Sequence, residues 1–328
     1  MVRFNSDVEK IPFNRAKVLF KEAQDRGIEI YEIKPFNLSM DIYSAKIGNK
    51  SKIFAGLPRP ETIDQTILDW IDDKWIIKKK LAEAGLPAPK GGSFSNLNSA
   101  TKYFKSLGKP VVVKPRQSSR NRHTTVLVQT EEQLAKAFKV AKQICLYVIV
   151  EEYLYGDVYR GTVIDGKLIG VMGISPAKVK GDEIHTIAEL VEIHNNNLPT
   201  GMIPIAVADK HINHLALLNL NLKSVLSKGQ TVALSEKMGT NYGGTSYDCT
   251  NNTHPEIKEA LIKAGLMVGD PILGFDFICE DVTKRLSEQT MGIIECNGAP
   301  FINLHSEVSV GTPINAAKYV WDLFEPVK

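Results

Sequence analysis

Oxygen-bearing side chains alternate with apolar ones in two short segments of the sequence, GFDFICE and MGIIECNGAP. In an extended strand successive side chains point to opposite faces, so Glu295 and Asn297 share one face. On the earlier segment Asp276 lies on the face opposite Phe275 and Phe277. If the segments pair as a hairpin, two carboxylates and one amide oxygen converge, and such hard oxygen ligands hold Mg²⁺ beside a nucleotide. A structural pair of carboxylates at strand ends is the alternative.

Two lysines stand where a phosphate could be bound. Lys114 closes a run of three valines and precedes Pro115 at the mouth of a loop, which places a mobile point charge there. Lys74 lies in the first turn of a predicted helix, and helix starts favour anions. For Lys114 the alternative is a strand-end lysine in solvent.

A hinge pattern follows a third apolar strand. The run VIV ends in Glu151, Glu152 and Tyr153, and Gly156 and Asp157 come next. We expect Glu151 and the backbone around it to meet an adenine edge. Asp157 is placed to meet ribose hydroxyls.

Composition limits the class of protein. The chain has 328 residues, of which 43% are apolar and 23% charged, as in ordinary soluble proteins of two or three lobes. A net charge of +3 without a basic stripe argues against a nucleic-acid partner. Apolar runs far shorter than a membrane span, and an N-terminus without a signal-peptide core, predict no membrane partner. Cysteines without CxxC spacing, three of them in apolar runs, favour reduced thiols and a cytoplasmic location.

The elements that position these residues follow from periodicity. Apolar residues at helical spacing over 13–26 predict a helix that ends at Gly27, and two strands are predicted within 41–55. A second helix is predicted to begin near Asp72-Asp73, which can cap it, and to stop at Gly85. Its run Lys78–Lys80 is interpreted as a solvated face, because the apolar residues of that helix cluster opposite.

Residues 110–152 predict a hairpin, a helix and a strand. The strand PVVVK and the strand TTVLVQT flank the polar loop PRQSSRNRH. Thr130 and Gln133 have the spacing of a capping box and open the helix. The strand LYVIVEEYL then completes a small α+β unit whose loop hangs over one face.

Taken in order along the chain, these pieces resemble the ATP-grasp superfamily. The family's DK helix, phosphate-lysine strand, adenine hinge and magnesium strands correspond to DDKWIIKKKLAEAGLPAPKG, KPVVVKP, VIVEEYLYGD, and GFDF with IIECNGAP. More narrowly, PAKVKGDEIHTIAELVE, YGGTSYDCT and GTPINAAKYVWDLFEP resemble the ATP-grasp module of cyanophycin synthetase. The glutathione-synthetase module of bifunctional glutathione enzymes shares several of these features. The resemblance covers roughly residues 65–328.

The resemblance implies a fold and a division into domains. The fold class is α+β or α/β, an ATP-grasp fold that binds the nucleotide between two α+β lobes and is preceded by a small N-terminal α/β lobe. The implied boundaries are 1–70 for the N-terminal lobe, 71–158 for the lid subdomain and 159–328 for the C-terminal subdomain with the magnesium strands. ATP and Mg²⁺ are the implied cofactors.

The resemblance also implies roles for individual residues. Those implied to contact ATP are Lys74, Lys114, Ser118, Ser119, Arg122, Glu151, Glu152, Tyr153 and Asp157. Those implied to bind Mg²⁺ are Asp276, Glu295 and Asn297. Lys114 and Arg160 are the implied catalytic residues, and substrate contacts are implied for Arg160, Gly243, Gly244 and His305. A surface salt bridge is the alternative for Arg160, and a packing or loop hydrogen bond is the alternative for His305.

Three departures from the family pattern bear on function. The phosphate loop is normally rich in glycine, but here it reads QSSRNRH, where Arg122 matches and Asn121 and His123 replace glycines. Such a loop is bulkier and less able to adopt positive φ. The family's N-L-S-T-G-G appears as G-T-N-Y-G-G, which leaves its asparagine unassigned. The sequence has neither the large N-terminal domain nor the second ATP site of cyanophycin synthetase, which argues against a two-residue polymerising cycle.

These features together predict an ADP-forming carbon–nitrogen ligase. The γ-phosphate of ATP passes to a substrate carboxylate, and an amine then attacks the acyl phosphate to give an amide. Positioning and charge neutralisation supply most of such catalysis. The predicted partners are small-molecule carboxylates and amines, namely amino acids or short peptides. One alternative keeps the fold with a hydroxyl or thiol acceptor, and the other is a non-catalytic nucleotide-binding protein. The sequence does not determine the identity of the substrates or the number of residues added. It also leaves open the oligomeric state, which is a dimer or tetramer in many related enzymes.

Overall fold

The structure is a computed structural model, and it describes residues 2–117, 123–198, 204–235 and 244–324. Its contacts divide the chain into two compact units. The first unit comprises Met1–Val171, Thr250–Ser306 and Ile314–Lys328, and the second comprises Met172–Cys249 and Glu307–Pro313. The boundaries predicted at 70 and 158 both fall inside the first unit, and they stay a prediction.

Strands and helices are interspersed along the described residues. The strands are β1 (Val2–Asn5), β2 (Ile30–Pro35), β3 (Ile42–Ile47), β4 (Lys50–Ala55), β5 (Gly91–Phe94), β6 (Val111–Pro115), β7 (Thr125–Val128), β8 (Val148–Glu152), β9 (Asp157–Ile164), β10 (Lys167–Ser175), β11 (Lys178–Lys180), β12 (Thr231–Ala233), β13 (Thr245–Asp248), β14 (Ile272–Cys279) and β15 (Met291–Asn297). The helices are α1 (Asn14–Asp25), α2 (Lys74–Glu83), α3 (Leu97–Leu107), α4 (Glu131–Lys142), α5 (Ile187–Asn196), α6 (Asp209–Leu217), α7 (Pro255–Val268) and α8 (Ala316–Asp322). None of the helices in the described ranges combines the length and the apolar character needed to cross a bilayer.

The first sheet of the first unit is antiparallel, in the order β1-β2-β3-β4. Helix α1 contributes buried residues at helical spacing, among them Leu19 and Phe20, to a shared core with α8. The indole nitrogen of Trp321 in that core donates to the carbonyl of Leu19 at 3.0 Å. The helix predicted over 13–26 and the two strands predicted within 41–55 are confirmed.

The second sheet, in the order β5-β8-β6-β7, is also antiparallel. Val111 and Val113 of β6 point into a core with α3 and α4. Because strand side chains alternate, Val112 and Lys114 lie on the other face. The sheet register sets Val112 opposite Glu151 of β8, so Lys114 and Glu151 share that second face. The sheet therefore turns one apolar face to its helices and brings a lysine and a glutamate together on the other.

Thr130 and Gln133 form the predicted capping box at the start of α4. The Thr130 hydroxyl accepts from the Gln133 amide at 3.2 Å, and the Gln133 side chain accepts from the Thr130 amide at 3.2 Å. We expect Thr130→Ala to lower the free energy of unfolding by about 1 kcal/mol, the usual cost of losing such a cap. Urea unfolding followed by circular dichroism measures this, with Thr124→Ala at a nearby exposed threonine as control. An equal midpoint for both variants would contradict the assigned role of the cap.

The third sheet holds the oxygen-bearing strands. In the first unit its order is β10-β9-β14-β15, with antiparallel pairing of β14 to both β9 and β15. The predicted hairpin between the two oxygen-bearing segments is therefore confirmed. A bulge interrupts the β14–β15 ladder next to Asp276, where Ile294 is the extra residue.

The second unit has a core of its own. Strands β11 and β12 pair antiparallel, and α5 packs beside them over apolar residues such as Val179, Ile187 and Leu226. Residues Met172–Ser175, the end of β10, pair with β13. A capping box formed by Thr186 and Glu189 opens α5.

Candidate active site

The structure brings Asp276, Glu295 and Asn297 together on one patch. Asp276 of β14 and Glu295 of β15 are direct cross-strand partners, and the Asn297 amide nitrogen lies 3.3 Å from the Asp276 carboxylate. Phe275 and Phe277 are fully buried on the opposite face. The alternation of polar and apolar side chains in the two segments therefore places the oxygen-bearing side chains on one face, as predicted.

Each of the two carboxylates contacts a cation. Arg160 of β9 is the cross-strand partner of Asp276 and donates through Nε and Nη2, the latter at 2.9 Å. Burial lowers the pKa of Arg160, but the Asp276 carboxylate more than offsets it and the pKa is raised. Lys74 of α2 lies 2.9 Å from Glu295. Arg160 does form a salt bridge, but its partner is a candidate metal ligand and its side chain is only 11% exposed.

The residues of this patch fit Mg²⁺. Two carboxylates and one amide oxygen are the hard donors that this ion takes, and both carboxylates keep part of their surface exposed. Lys74 and Arg160 are placed to balance the remaining negative charge. No group of three or more His, Cys, Asp or Glu side chains positioned for a metal ion is found in the described part of the chain, and the patch itself has only two carboxylates.

Lys78, Lys114 and Glu151 form a buried cluster that contacts β15 at Ile294, next to Glu295. Their exposed fractions are 4%, 6% and 2%. Lys114 lies 2.8 Å from one carboxylate oxygen of Glu151, and Lys78 lies 2.7 Å from the other. Lys78 also donates to the carbonyl of Ile294 at 3.4 Å. The prediction of a solvated face is therefore wrong for Lys78, because that part of α2 faces β8 and β15 rather than water.

Burial and charge act in opposite directions on this cluster. Burial raises the pKa of Glu151, but the charges of Lys114 and Lys78 more than offset it, so the pKa lies below its usual value. Burial lowers the pKa of Lys78 to about 8, even though Glu151 raises it. Glu151 is therefore ionised at neutral pH and holds both lysines.

The hinge residues have other contacts than those predicted. Glu151 was expected at an adenine edge, but its carboxylate is buried between the two lysines, so its part in binding adenine stays a prediction. Glu152 accepts from the amide of Lys90 at 3.0 Å. The amide of Tyr153 donates to the carbonyl of Pro110 at 2.8 Å. Asp157 begins β9, opposite Cys279.

His305 does not reach the surface. It is 2% exposed, and its Nε2 lies 2.7 Å from the hydroxyl of Thr162. This is the packing contact that the sequence left open, and the substrate contact stays a prediction. Gly244 precedes β13 in the second unit, and Gly243 lies outside the described residues.

Asp73 connects the start of α2 with the base of the predicted phosphate loop. Its carboxylate caps α2 by accepting from the amides of Trp75 and Ile76. The same carboxylate accepts from Arg116 Nε at 2.8 Å and from the side-chain nitrogen of Gln117, Nε2, at 3.0 Å. The cap was predicted, but the contact with Arg116 was missed.

The rest of that loop is described only at its end. Ser118, Ser119 and Arg122 lie outside the described residues, so their predicted contacts are not placed. His123, which stands where the family has glycine, has a φ of 61°. A residue with a Cβ pays for this left-handed conformation, which glycine adopts freely.

Two arginines that sequence reasoning missed hold the loop after Asn297. Arg15 of α1 donates to the carbonyl of Ala299, and Arg59 donates to the carbonyl of Gly298. Arg59 also pairs with Asp270 at 2.6 Å. No local sequence pattern announces these contacts, because each joins residues far apart in the chain.

Comparison with known proteins places this geometry in a family. No protein-family model matches the chain. The chain is 31% identical over 264 residues to cyanophycin synthetase of Trichormus variabilis, a match that covers 77% of this chain and 29% of that protein. It is 28% identical over 262 residues to the bifunctional glutathione biosynthesis protein GshAB of Clostridium perfringens, covering 77% of this chain and 34% of that protein.

A solved structure agrees over a longer stretch. The crystal structure of a bifunctional glutathione synthetase from Pasteurella multocida superposes with a TM-score of 0.65 at 25% identity, covering 95% of this chain and 44% of that one. The chain belongs to the ATP-grasp superfamily. The predicted ATP-grasp fold of mixed α and β structure is confirmed. This ATP-grasp chain spans less than half the length of each of these three proteins.

Proposed function

We propose that this chain is an ADP-forming carboxylate–amine ligase that acts on amino acids or short peptides. The observation that carries the proposal is the contact between Lys74 and Glu295, 2.9 Å apart. This contact supports the proposal, because a site for a metal-bound nucleotide needs a lysine for phosphate close to oxygen donors for Mg²⁺. The names of the relatives, cyanophycin synthetase and a glutathione biosynthesis protein, support amino-acid or peptide substrates.

The proposed reaction has two balanced steps. A substrate carboxylate oxygen attacks the γ-phosphorus of ATP, the bond to the β-phosphate oxygen breaks, and ADP leaves. The amine nitrogen then attacks the carbonyl carbon of the acyl phosphate. The carbon–oxygen bond to phosphate breaks, the amine loses a proton to water, and an amide and phosphate result.

The residues of the site would act through position and charge. Lys74 and Lys114 would hold the nucleotide phosphates, and Arg160 would orient the carboxylate or its acyl phosphate. Asp276, Glu295 and Asn297 would hold Mg²⁺, which supplies charge neutralisation at the phosphates when bound. Neither step needs a nucleophilic side chain. A cytoplasmic location and a dimeric or tetrameric state stay predictions.

Trapping the acyl phosphate tests the proposal. Hydroxylamine attacks acyl phosphates and gives stable hydroxamates. We expect hydroxamate formation that depends on ATP, Mg²⁺ and an amino acid or short peptide, with one ADP released per hydroxamate. ADP release without hydroxamate for every acid tested, with a phosphorylated alcohol as product, would support phosphotransfer to a hydroxyl and overturn the proposal.

A further inference from the structure

The buried cluster of Lys78, Lys114 and Glu151, next to the oxygen-donor patch of Asp276, Glu295 and Asn297, carries unbalanced charge. Lys78 and Lys114 share the single carboxylate of Glu151, so two positive charges and one negative charge leave one net positive charge. A further charged group that acts on Lys78 is Lys74 on the same helix, which pairs with Glu295. All three cluster residues are almost completely buried, so water screens this charge weakly.

The geometry divides Glu151 between the lysines. One carboxylate oxygen contacts Lys114 at 2.8 Å and the other contacts Lys78 at 2.7 Å. Without Lys78, both carboxylate oxygens of Glu151, and its full negative charge, would interact with Lys114 alone. Lys114 and Glu151 would then form a neutral pair, and Lys114 would attract an approaching anion less strongly.

We propose that Lys78 is a positioning residue: by occupying one oxygen of Glu151, it leaves Lys114 with enough unbalanced positive charge to hold a nucleotide phosphate. This inference rests on the proposed function, because it takes Lys114 as the phosphate lysine. It assigns Glu151 to the control of that lysine. It also gives a role to a side chain that the sequence placed in solvent.

The charge and the burial favour a phosphate group as the ligand. A buried ammonium group is a compact point charge, which suits a phosphate oxygen. Lys78 itself is held by Glu151 and by the carbonyl of Ile294. Lys114, 2.8 Å from Glu151, is the proposed phosphate lysine, and Lys78 acts through it.

The test is ADP binding to the full chain, measured by isothermal titration calorimetry with Mg²⁺ present. We expect Lys78→Met to weaken ADP binding about tenfold, because the contact of Lys114 with a phosphate becomes weaker when Glu151 neutralises Lys114. Its thermal midpoint should change little, because removing a buried charge offsets the lost contact to Ile294. Lys79→Met, at the exposed neighbouring lysine, is the matched control and should bind ADP as the wild type does. Lys78→Arg, which keeps the charge, should recover part of the affinity.

A pH series separates positioning from a purely structural role. Wild-type affinity should fall as pH rises from 7 to above about 8, where Lys78 loses its proton, and Lys78→Met should lack this dependence. Lys78→Met that binds ADP like the wild type with the same pH profile overturns the inference alone. If the wild-type protein binds ADP but forms no hydroxamate with hydroxylamine, the proposed ligase function is overturned while the inference about Lys78 stands. Wild-type protein that binds no ADP overturns both.

Discussion

Asp276→Asn is expected to lower the rate of ADP formation by about a hundredfold to a thousandfold, the usual cost of removing one preorganised electrostatic group from an active site. The change removes a negative charge from the oxygen-donor patch and keeps the size of the side chain. Asp276 is partly exposed and the charge of Glu295 still acts on Arg160, in contrast to the almost completely buried Glu151 cluster, so the fold should persist. The loss should therefore appear in the rate, with a thermal midpoint close to that of the wild type.

A coupled assay of ADP release under saturating substrate measures this effect. Glu295→Gln should lower the rate in the same way, because Glu295 is the cross-strand partner of Asp276 and the second carboxylate of the proposed metal site. Glu280→Gln is the matched control, since this carboxylate follows β14 directly and is exposed. Unchanged ADP release in both Asp276→Asn and Glu295→Gln would remove these two residues from the proposed metal site.

Glu151→Gln is expected to lower the free energy of unfolding by about 3–5 kcal/mol at pH 7, as happens when one partner of a buried ion pair is removed. The change leaves Lys78 and Lys114 buried without a carboxylate. Urea unfolding at fixed pH measures the loss. The control is Glu132→Gln, which breaks an ion pair between Glu132 and Lys136 on an exposed helix face. That pair has the same 2.7 Å length as the pair between Glu151 and Lys78. The exposed pair should contribute less than about 1 kcal/mol, because exposed pairs are screened by water.

The pH dependence of this variant has a definite sign. In the wild type the lowered pKa of Glu151 gives stability that is present above the ordinary glutamate pKa and is lost as pH falls through the lowered value. The pKa of Lys78 is lowered to about 8 from 10.5, so its contribution to stability rises with pH between these values. In Glu151→Gln the deficit relative to the wild type should shrink as pH rises from 7 to about 8, because Lys78 without the carboxylate loses its proton at a lower pH than in the wild type. A deficit that is constant with pH would mean that packing rather than charge causes it.

Local pattern was enough to predict the oxygen-donor patch. Phe275 and Phe277 fix which face of β14 is buried, so the direction of Asp276 follows from the alternation of side chains. The cap at Asp73 and the capping box at Thr130 likewise depend on residues within one helical turn. Each of these features is local, and each was visible in the sequence.

The contacts that could not be predicted are those between distant segments. A run of three lysines on a helix resembles a solvated face, and only the approach of β8 shows that Lys78 meets Glu151. Arg15 and Arg59 reach the loop after Asn297 in the same way. The sequence predicts a bulky phosphate loop that is less able to adopt positive φ. His123, at the end of that loop, nevertheless has the left-handed backbone conformation that suits glycine.

The central claim, that this ATP-grasp chain joins a carboxylate to an amine, is tested most directly by following ADP release over pairs of amino acids. The set should include Asp, Glu, Arg and Lys, and mass spectrometry should identify the product of any active pair. We predict at least one pair that releases ADP and phosphate and gives a product with the summed mass of the two amino acids less one water, joined through an amide. ADP release that yields only an ester or a stable phosphate would contradict the claim.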